Sequence, residues 1–596
     1  MTSADAPPNG PPSEHQLCAA EALHLAKLAG PIILTYLLAI GVQVVVQMIV
    51  GHVSSDALAA AALATMFAHA FGLSLIFGSA SACDTLCSQA FGARNYPRVG
   101  AIAYQGSIIG LFIVSLCCIG WFYLAGPFFS LMQQDKEIAQ MAQQYIRLLM
   151  WGLPAKTVFE TMKKPLNSAN LPLPPLLFSA LGLACSATFG YLFVYATPLS
   201  FWGAPIACSV ADWVSLVSLL LYLRFHRAFH KALDGILPAA WVKEFSEPST
   251  AAAAAPATAP AAALAPSGAA AIEGERVGAS GGLAQHGVGT ADVGEAIMIP
   301  LPHGGAAAAS DASSDAAAAT TPAAAPAVLA AAPPTIAAHL SYHDLLDQLF
   351  PLPELATVIT LETAREYITL GAPGALMLFI EWGSYEALSL IAGTISRNVL
   401  AAQAIMATTA TLSFMPFLGF SVACCIRVGN FLGELHPEEA RRSYRVTLAI
   451  SGVLIAMNTF FVLALRNSWG LMFTDDLEVS QLVANSLFIL CAYTLFDGIQ
   501  CVCTGALKGV SMPTPAAAIN LLSYVAIGLP LAYYLATPSG AMMGLSGIWL
   551  GFVLAVLCAA LCMTTLLFRI SWEAKSQEAF ERAKQEGGGA APLGGH

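Results

Sequence analysis

The chain has 596 residues, of which 57% are hydrophobic and 10% charged, with a mean hydropathy of +0.68. Soluble domains carry about 25% charged residues, so this composition cannot build a water-covered surface of that size and excludes a large soluble enzyme. A net charge of -11 argues against a nucleic-acid partner, which requires a basic face. The sequence reads as an all-α polytopic membrane protein.

From the first residue, the chain is polar and proline-rich as far as Gln16, without the basic start and short apolar core of a cleaved signal peptide. Residues 1–26 are read as a disordered N-terminal tail. Crossing roughly 30 Å of hydrocarbon takes about 20 apolar residues, and twelve stretches qualify as transmembrane helices. Six lie within 27–224, near 27–50, 57–82, 100–125, 142–162, 172–196 and 203–224. Residues 225–345 interrupt the pattern. Their core, 250–338, is dominated by Ala, Pro, Gly, Ser and Thr, which offer breakers of helix and few large groups for a core. A cytoplasmic low-complexity linker is expected there, with a broken helical rod as the alternative. Six further spans lie within 346–570, near 367–393, 400–424, 445–466, 481–505, 514–536 and 543–568. Residues 571–596 form a cytoplasmic C-terminal tail, in which Ser571 to Glu586 has the charged, amphipathic pattern of an interfacial helix.

The halves repeat each other. Gly30-Pro31 matches Ala372-Pro373 at an offset of 342, Gly92 matches Gly433 at 341, and Pro172 and Pro174 match Pro513 and Pro515 at 341. Three matches in register across a linker of unrelated composition indicate a duplication into two pseudo-symmetric six-helix lobes. Loops after even-numbered spans hold Arg94, Arg98, Lys163, Lys164, Arg224, Arg227, Arg441, Arg442, Arg445 and Lys508, whereas the opposite loops hold mainly Lys136, Arg397 and Arg466. That asymmetry predicts both termini and the linker on the cytoplasmic side.

The 14 cysteines are spread through apolar runs without paired CxxC elements and a following His cluster, so no metal is expected. HExxH does not occur, and the single GxSxG, Gly278-Ala279-Ser280-Gly281-Gly282, lies in the low-complexity linker outside every span, so an intramembrane enzyme is not expected.

Several blocks resemble plant-type multidrug and toxic compound extrusion transporters: Val50-Gly51-His52-Val53, the run from Asp84 to Ala93, Glu381-Trp382-Gly383-Ser384-Tyr385-Glu386, Arg427-Val428-Gly429-Asn430 with Gly433, Gly505 to Gly509, and Trp572-Glu573. The likeness covers about 27–230 and 345–575 and leaves the linker unexplained. Asp84, Ser88 and Gly383 depart from the residues usual in that family (Glu, Gly and Trp), and Gly383 stands beside an expected proton carrier. The resemblance implies two lobes around a central cleft and export driven by proton or sodium influx, with no organic cofactor. Organic cations, xenobiotics and secondary metabolites are the substrates it implies. A sodium-coupled exporter, an organic-acid (citrate-like) exporter and a lipid-linked substrate flippase are the alternatives, although no Arg or Lys lies deep in the first-lobe spans to bind a pyrophosphate. A monomer in the bilayer is expected, in the plasma membrane or a vacuolar-type membrane.

Ionisable groups deep in apolar spans are expensive and mark function. Glu381 lies mid-span after Leu376-Met377-Leu378-Phe379-Ile380, and Asp497 lies between Phe496 and Gly498. Desolvation favours the neutral form of a carboxylic acid and brings its protonation toward physiological pH, the property an antiporter needs. These two positions also match the family's transport carboxylates. Tyr385, four residues after Glu381, shares its face and is placed to hydrogen-bond it, whereas Glu386 is turned about 140° away. Any of these acids can instead simply satisfy backbone or tyrosine donors.

Asp212 is a further candidate, for an interlobe hydrogen bond or a proton role. Asn520 and Tyr524 lie four apart on one face and are candidates for the cavity wall. The first span offers only Gln43 and Gln47, where bacterial relatives carry an acid, so the second lobe is expected to run the coupling. His69 reads as a packing donor, and Lys156 and Glu160 as a paired or snorkelling set. Pro31 and Pro373 each remove a backbone hydrogen bond inside a span and are hinge candidates. A static kink is the alternative.

Overall fold

The computed structural model describes residues 13–131, 135–233, 341–351, 360–474 and 476–585. Most of the low-complexity linker, the first 12 residues and residues 586–596 lie outside them, so the expectations for those stretches do too. The described residues are helical and contain no strand. Eleven helices among them are long and apolar enough to cross a membrane.

The N-lobe consists of α1 (Glu14–Gly51), α2, α3 (Tyr96–Leu131), α4 (Lys136–Leu149), α5 (Leu153–Ser168), α6 (Leu173–Tyr195) and α7 (Gly203–Leu233). Helix α2 comprises Ser55–Ala68 and Ser74–Gly92, joined through a π-helical turn at His69–Leu73. A short α8 (Tyr342–Leu349) follows the linker. The C-lobe holds α9 (Leu361–Ile395), α10 (Arg397–Gly433), α11 (Pro437–Ala464), α12 (Leu477–Gly509), α13 and α14 (Gly544–Arg569). Helix α13 runs Pro513–Asn520 and Leu529–Ala536 around the π-helical stretch Leu521–Gly528. Helix α15 (Trp572–Gln585) ends the described chain.

Four boundaries differ from the sequence reading. Helix α1 starts at Glu14, inside the stretch assigned to a disordered tail. Ser13 and Gln16 form a reciprocal capping box at its start, and Leu25, Leu28, Ala29 and Ile32 pack on Phe420, Ala423, Ile426 and Val446 of the other lobe. At about 1.5 Å per residue its 38 residues span roughly 57 Å, well beyond a bilayer core.

The fourth expected span, 142–162, is two helices broken at Met150–Gly152, with Pro154 in the first turn of α5. Helix α5 is almost wholly buried in the lobe, so its Lys156, Glu160, Lys163 and Lys164 find ionic partners instead of lipid. An internal helix need not look apolar, which is why eleven spans and not twelve pass on length and composition.

Helix α7 continues to Leu233, beyond the expected end of the first lobe. Helix α8 falls across the border drawn between linker and second lobe at residue 345. Its Tyr342, Leu345, Leu346 and Leu349 are buried among Ala103, Leu216, Leu219 and Tyr222 of the N-lobe, and Tyr342 and Tyr222 share a hydroxyl–hydroxyl bond. The linker therefore returns to the lobe it left before the chain enters α9.

The lobes meet closely at the end carrying the described termini, as they do further along at Gly78 and Gly374. A Cβ on Gly92 would strike the Asn430 backbone, and one on Gly433 the Gln89 carbonyl, so these glycines set how near α2 and α10 approach.

Candidate functional site

Helix α9 begins against the N-lobe, where the Tyr367 hydroxyl donates to Ser79 O at 3.1 Å, and carries Glu381 further along. Helix α12 brings Asp497 to it from within the same lobe. Both carboxylates are buried, Glu381 at 9% exposure and Asp497 at 2%. They lie within electrostatic reach of each other, and the charge of Lys508 also reaches Glu381. The structure thus brings together two acids separated by 116 positions in sequence (381 and 497).

Around them stands a phenol-rich wall. The Tyr385 hydroxyl is shared with Tyr493 rather than given to Glu381, a correction to the partner expected from helix spacing. Tyr493 in turn reaches Asp497, one turn along its own helix. Phe552 stacks on Tyr493 at 5.7 Å between ring centroids and meets Tyr524 edge-on at 5.3 Å. Trp549 braces the same wall by donating from Nε1 to Gln403 Oε1 at 2.9 Å.

Asn520 and Tyr524 are fully buried, and Tyr524 lies in the π-helical stretch of α13. Gln500 Nε2 donates to Asn520 Oδ1 at 3.3 Å. Among the described residues, Asn520 Nδ2 and the Tyr524 hydroxyl have no hydrogen-bond partner. Buried polar atoms are nearly always paired, so these two mark a place where polar chemistry is unfinished. Glu386 is half-buried and stands apart from the acid pair.

The N-lobe candidates group differently. Gln43 is hydrogen-bonded to His69 Nε2 at 2.5 Å, tying α1 to the π-helical turn of α2. The His69 ring lies 5.5 Å from Trp382, the neighbour of Glu381, and Phe77 flanks the same indole at 6.0 Å. His69, read as a packing donor, therefore touches the acid-bearing helix. Gln47 is half-buried on the same α1.

Asp212 accepts from Lys156 Nζ at 3.3 Å within its own lobe, so its bond is not the interlobe one considered. Glu160 pairs with Lys163 at 2.6 Å and Asp84 with Lys164 at 2.8 Å, all four side chains buried. Spacing shows the Glu160–Lys163 pair; the Asp84–Lys164 pair spans 80 positions and carries no sequence signal.

Pro31 and Pro373 sit inside the continuous helices α1 and α9, and Thr35 Oγ1 donates to the Pro31 carbonyl at 2.8 Å. Helical irregularities among the described residues include the two π-helical stretches and a kink in α7 at Phe225, whose φ of -122° and ψ of 24° are not helical. Sequence reasoning missed Tyr493, Gln500, Gln403 and Trp549. Tyr493 alone carried a signal, being four residues before Asp497. Among the described residues, no group of three or more His, Cys, Asp or Glu side chains is placed to hold a metal.

The MatE family model matches the chain twice, over residues 31–192 and 373–534. The two matches have the same length and stand 342 residues apart, the offset of the Pro31 and Pro373 pair. The chain is 24% identical over 555 residues to mouse (Mus musculus) multidrug and toxin extrusion protein 1, covering 93% of this chain and 76% of that one. It is 23% identical over 555 residues to the human (Homo sapiens) protein of the same name, with the same coverage. Its fold is similar to that of the eukaryotic MATE transporter AtDTX14, with a TM-score of 0.69, 21% identity and coverage of 95% of this chain and 100% of that one. A Vibrio cholerae MATE transporter, VcmN, gives a TM-score of 0.65 at 13% identity, over 96% of this chain and 99% of that one. With the family model matched in both lobes over more than half its length, the chain belongs to the MatE family of multi-pass membrane transporters.

Proposed function

We propose that the protein is a proton-coupled antiporter that exports organic cations, among them xenobiotics or secondary metabolites. The observation that carries this reading is the buried pair Glu381 and Asp497, close enough to feel each other's charge and walled by Tyr385, Tyr493 and Tyr524. Burying charge in hydrocarbon is costly unless the site uses it. Ionised, the pair attracts a cation; protonated, it releases one. Exchange follows because the same carboxylates cannot hold a proton and attract a cation at once. The relatives named for multidrug and toxin extrusion support a broad substrate range.

The N-lobe supplies the other wall through Gln43, His69 and Trp382's aromatic neighbours. The basic loops support a cytoplasmic termini end; in that orientation the close lobe contacts there correspond to a transporter shut on its cytoplasmic side.

The test is uptake of a fluorescent organic cation into liposomes holding the purified protein, driven by a pH jump. Glu381→Gln and Asp497→Asn are expected to abolish gradient-driven uptake while leaving folding intact by circular dichroism. Uptake that survives Glu381→Gln overturns the coupling assignment. Uptake that follows an imposed sodium gradient and ignores pH identifies sodium as the coupling ion instead.

A further inference from the structure

Helix α15 follows the last span and lies across both lobes at the termini end. Its base is fixed to the C-lobe. Trp572 stacks on Tyr444 at 6.2 Å, Ser576 Oγ donates to Leu432 O at 3.0 Å, and Ala579 is buried in the same cluster.

Its last turn reaches the N-lobe. Asn95 Nδ2 donates to Ala583 O at 2.9 Å. Arg582 Nη1 donates to Gln89 Oε1 at 3.1 Å and to Ser511 Oγ at 2.6 Å. Its Nε lies 3.4 Å from Glu366, which also pairs with Arg98 at 3.0 Å. Gln89 completes the ring by donating from Nε2 to Gly509 O at 2.9 Å and Ser511 Oγ at 2.8 Å.

One guanidinium therefore joins α2, α9 and the turn after α12. A planar fork of five donors suits that task, and a lysine ammonium does not. Glu578, one turn earlier, holds Arg582 Nη2 at 2.8 Å and fixes the side chain from its own helix. These bonds cross a junction whose other polar ties include Thr85 Oγ1 to Lys508 O at 2.9 Å, Asn430 Nδ2 to Ser168 O at 3.2 Å and the Glu21–Arg427 pair at 2.6 Å.

We propose that α15 is a latch, anchored on the C-lobe and hooked to the N-lobe by Arg582 and the Ala583 carbonyl, which holds the termini end shut and lifts at its tip before the lobes part there. The asymmetry of its contacts sets the order of events. The base is packed by aromatic stacking and burial, whereas the tip is held by hydrogen bonds that water replaces as the junction opens. The proposal rests on the reading that the two lobes part and close during transport. Its test reads backbone exchange rather than uptake, so its failure is distinguishable from a failure of the coupling assignment.

Hydrogen–deuterium exchange of the full chain in lipid nanodiscs decides the matter, comparing the wild type with Arg582→Ala, Arg582→Lys and a chain ending at Ile570. Arg582→Ala is expected to speed exchange roughly tenfold, the loss of about one charge-assisted hydrogen bond, in peptides covering 85–95 and 428–436. The lysine variant should fall between it and the wild type, and the truncated chain should exceed both. Wild-type exchange in those peptides after loss of Arg582 or of the whole helix overturns the proposal. So does faster exchange spread evenly through both lobes, which marks unfolding instead of an opened junction.

Discussion

Glu381 and Asp497 show how a single residue's chemistry is set by depth and company. Each is recognisable in sequence as an acid inside an apolar run, but the partners of Tyr385 are not: helix spacing pointed its hydroxyl to Glu381, and packing gave it to Tyr493. A residue outside the spans offers a direct check on how such partners tune titration. His436, in the turn between α10 and α11, has its pKa raised by the hydrogen bond and charge of Glu434, against the opposing effect of burial. A raised folded pKa stabilises the protein fully below the unfolded value of about 6.5 and loses that contribution as pH rises through the folded value. The melting-temperature difference between wild type and His436→Gln in detergent is therefore expected to shrink from pH 6 to pH 8. A difference that grows over that range contradicts the Glu434 pairing.

At the scale of elements, the contact of α2 with α10 depends on glycine for closeness rather than for backbone freedom. Gly92 faces the Asn430 backbone, which cannot move aside as a flexible side chain would. Gly92→Ala is expected to cost about 1–3 kcal/mol through overpacking, seen as a lowered melting temperature. Gly452, in the interior of α11, has open space where a Cβ would go, so Gly452→Ala should cost nothing measurable in the same assay. Equal effects at both positions would argue against close packing as the cause. Helices α5 and α15 make a related point. Both carry several charges, α5 within the fourth expected span and α15 beyond the last, and both are held by partners distant in sequence: Asp84 and Asp212 for α5, Gln89 and Asn95 for α15. Helix α15 was read as an interfacial helix, yet Trp572, Ala579 and Ala583 turn toward protein.

For the whole molecule, the duplication read from three matched positions agrees with two family matches separated by the same offset. The orientation of the bundle rests on basic loops alone and is open to a simple experiment. A protease-sensitive tag after the C-terminus should be cleaved in inside-out vesicles and protected in right-side-out ones; the reverse pattern would invert the membrane topology.

By itself the sequence determined the class of protein, nearly all its spans, the repeat and the two buried acids. Hydropathy, periodicity and a costly buried charge are local properties, legible without knowing what lies across the lobe. Tertiary structure alone decided that α1 packs from Leu25 to Ile32 on the C-lobe, that α8 returns to the N-lobe and that Tyr385 pairs with Tyr493. It also placed α15 across both lobes. Each of these depends on pairings between residues far apart in the chain, where polar groups are satisfied by partners that no local pattern announces.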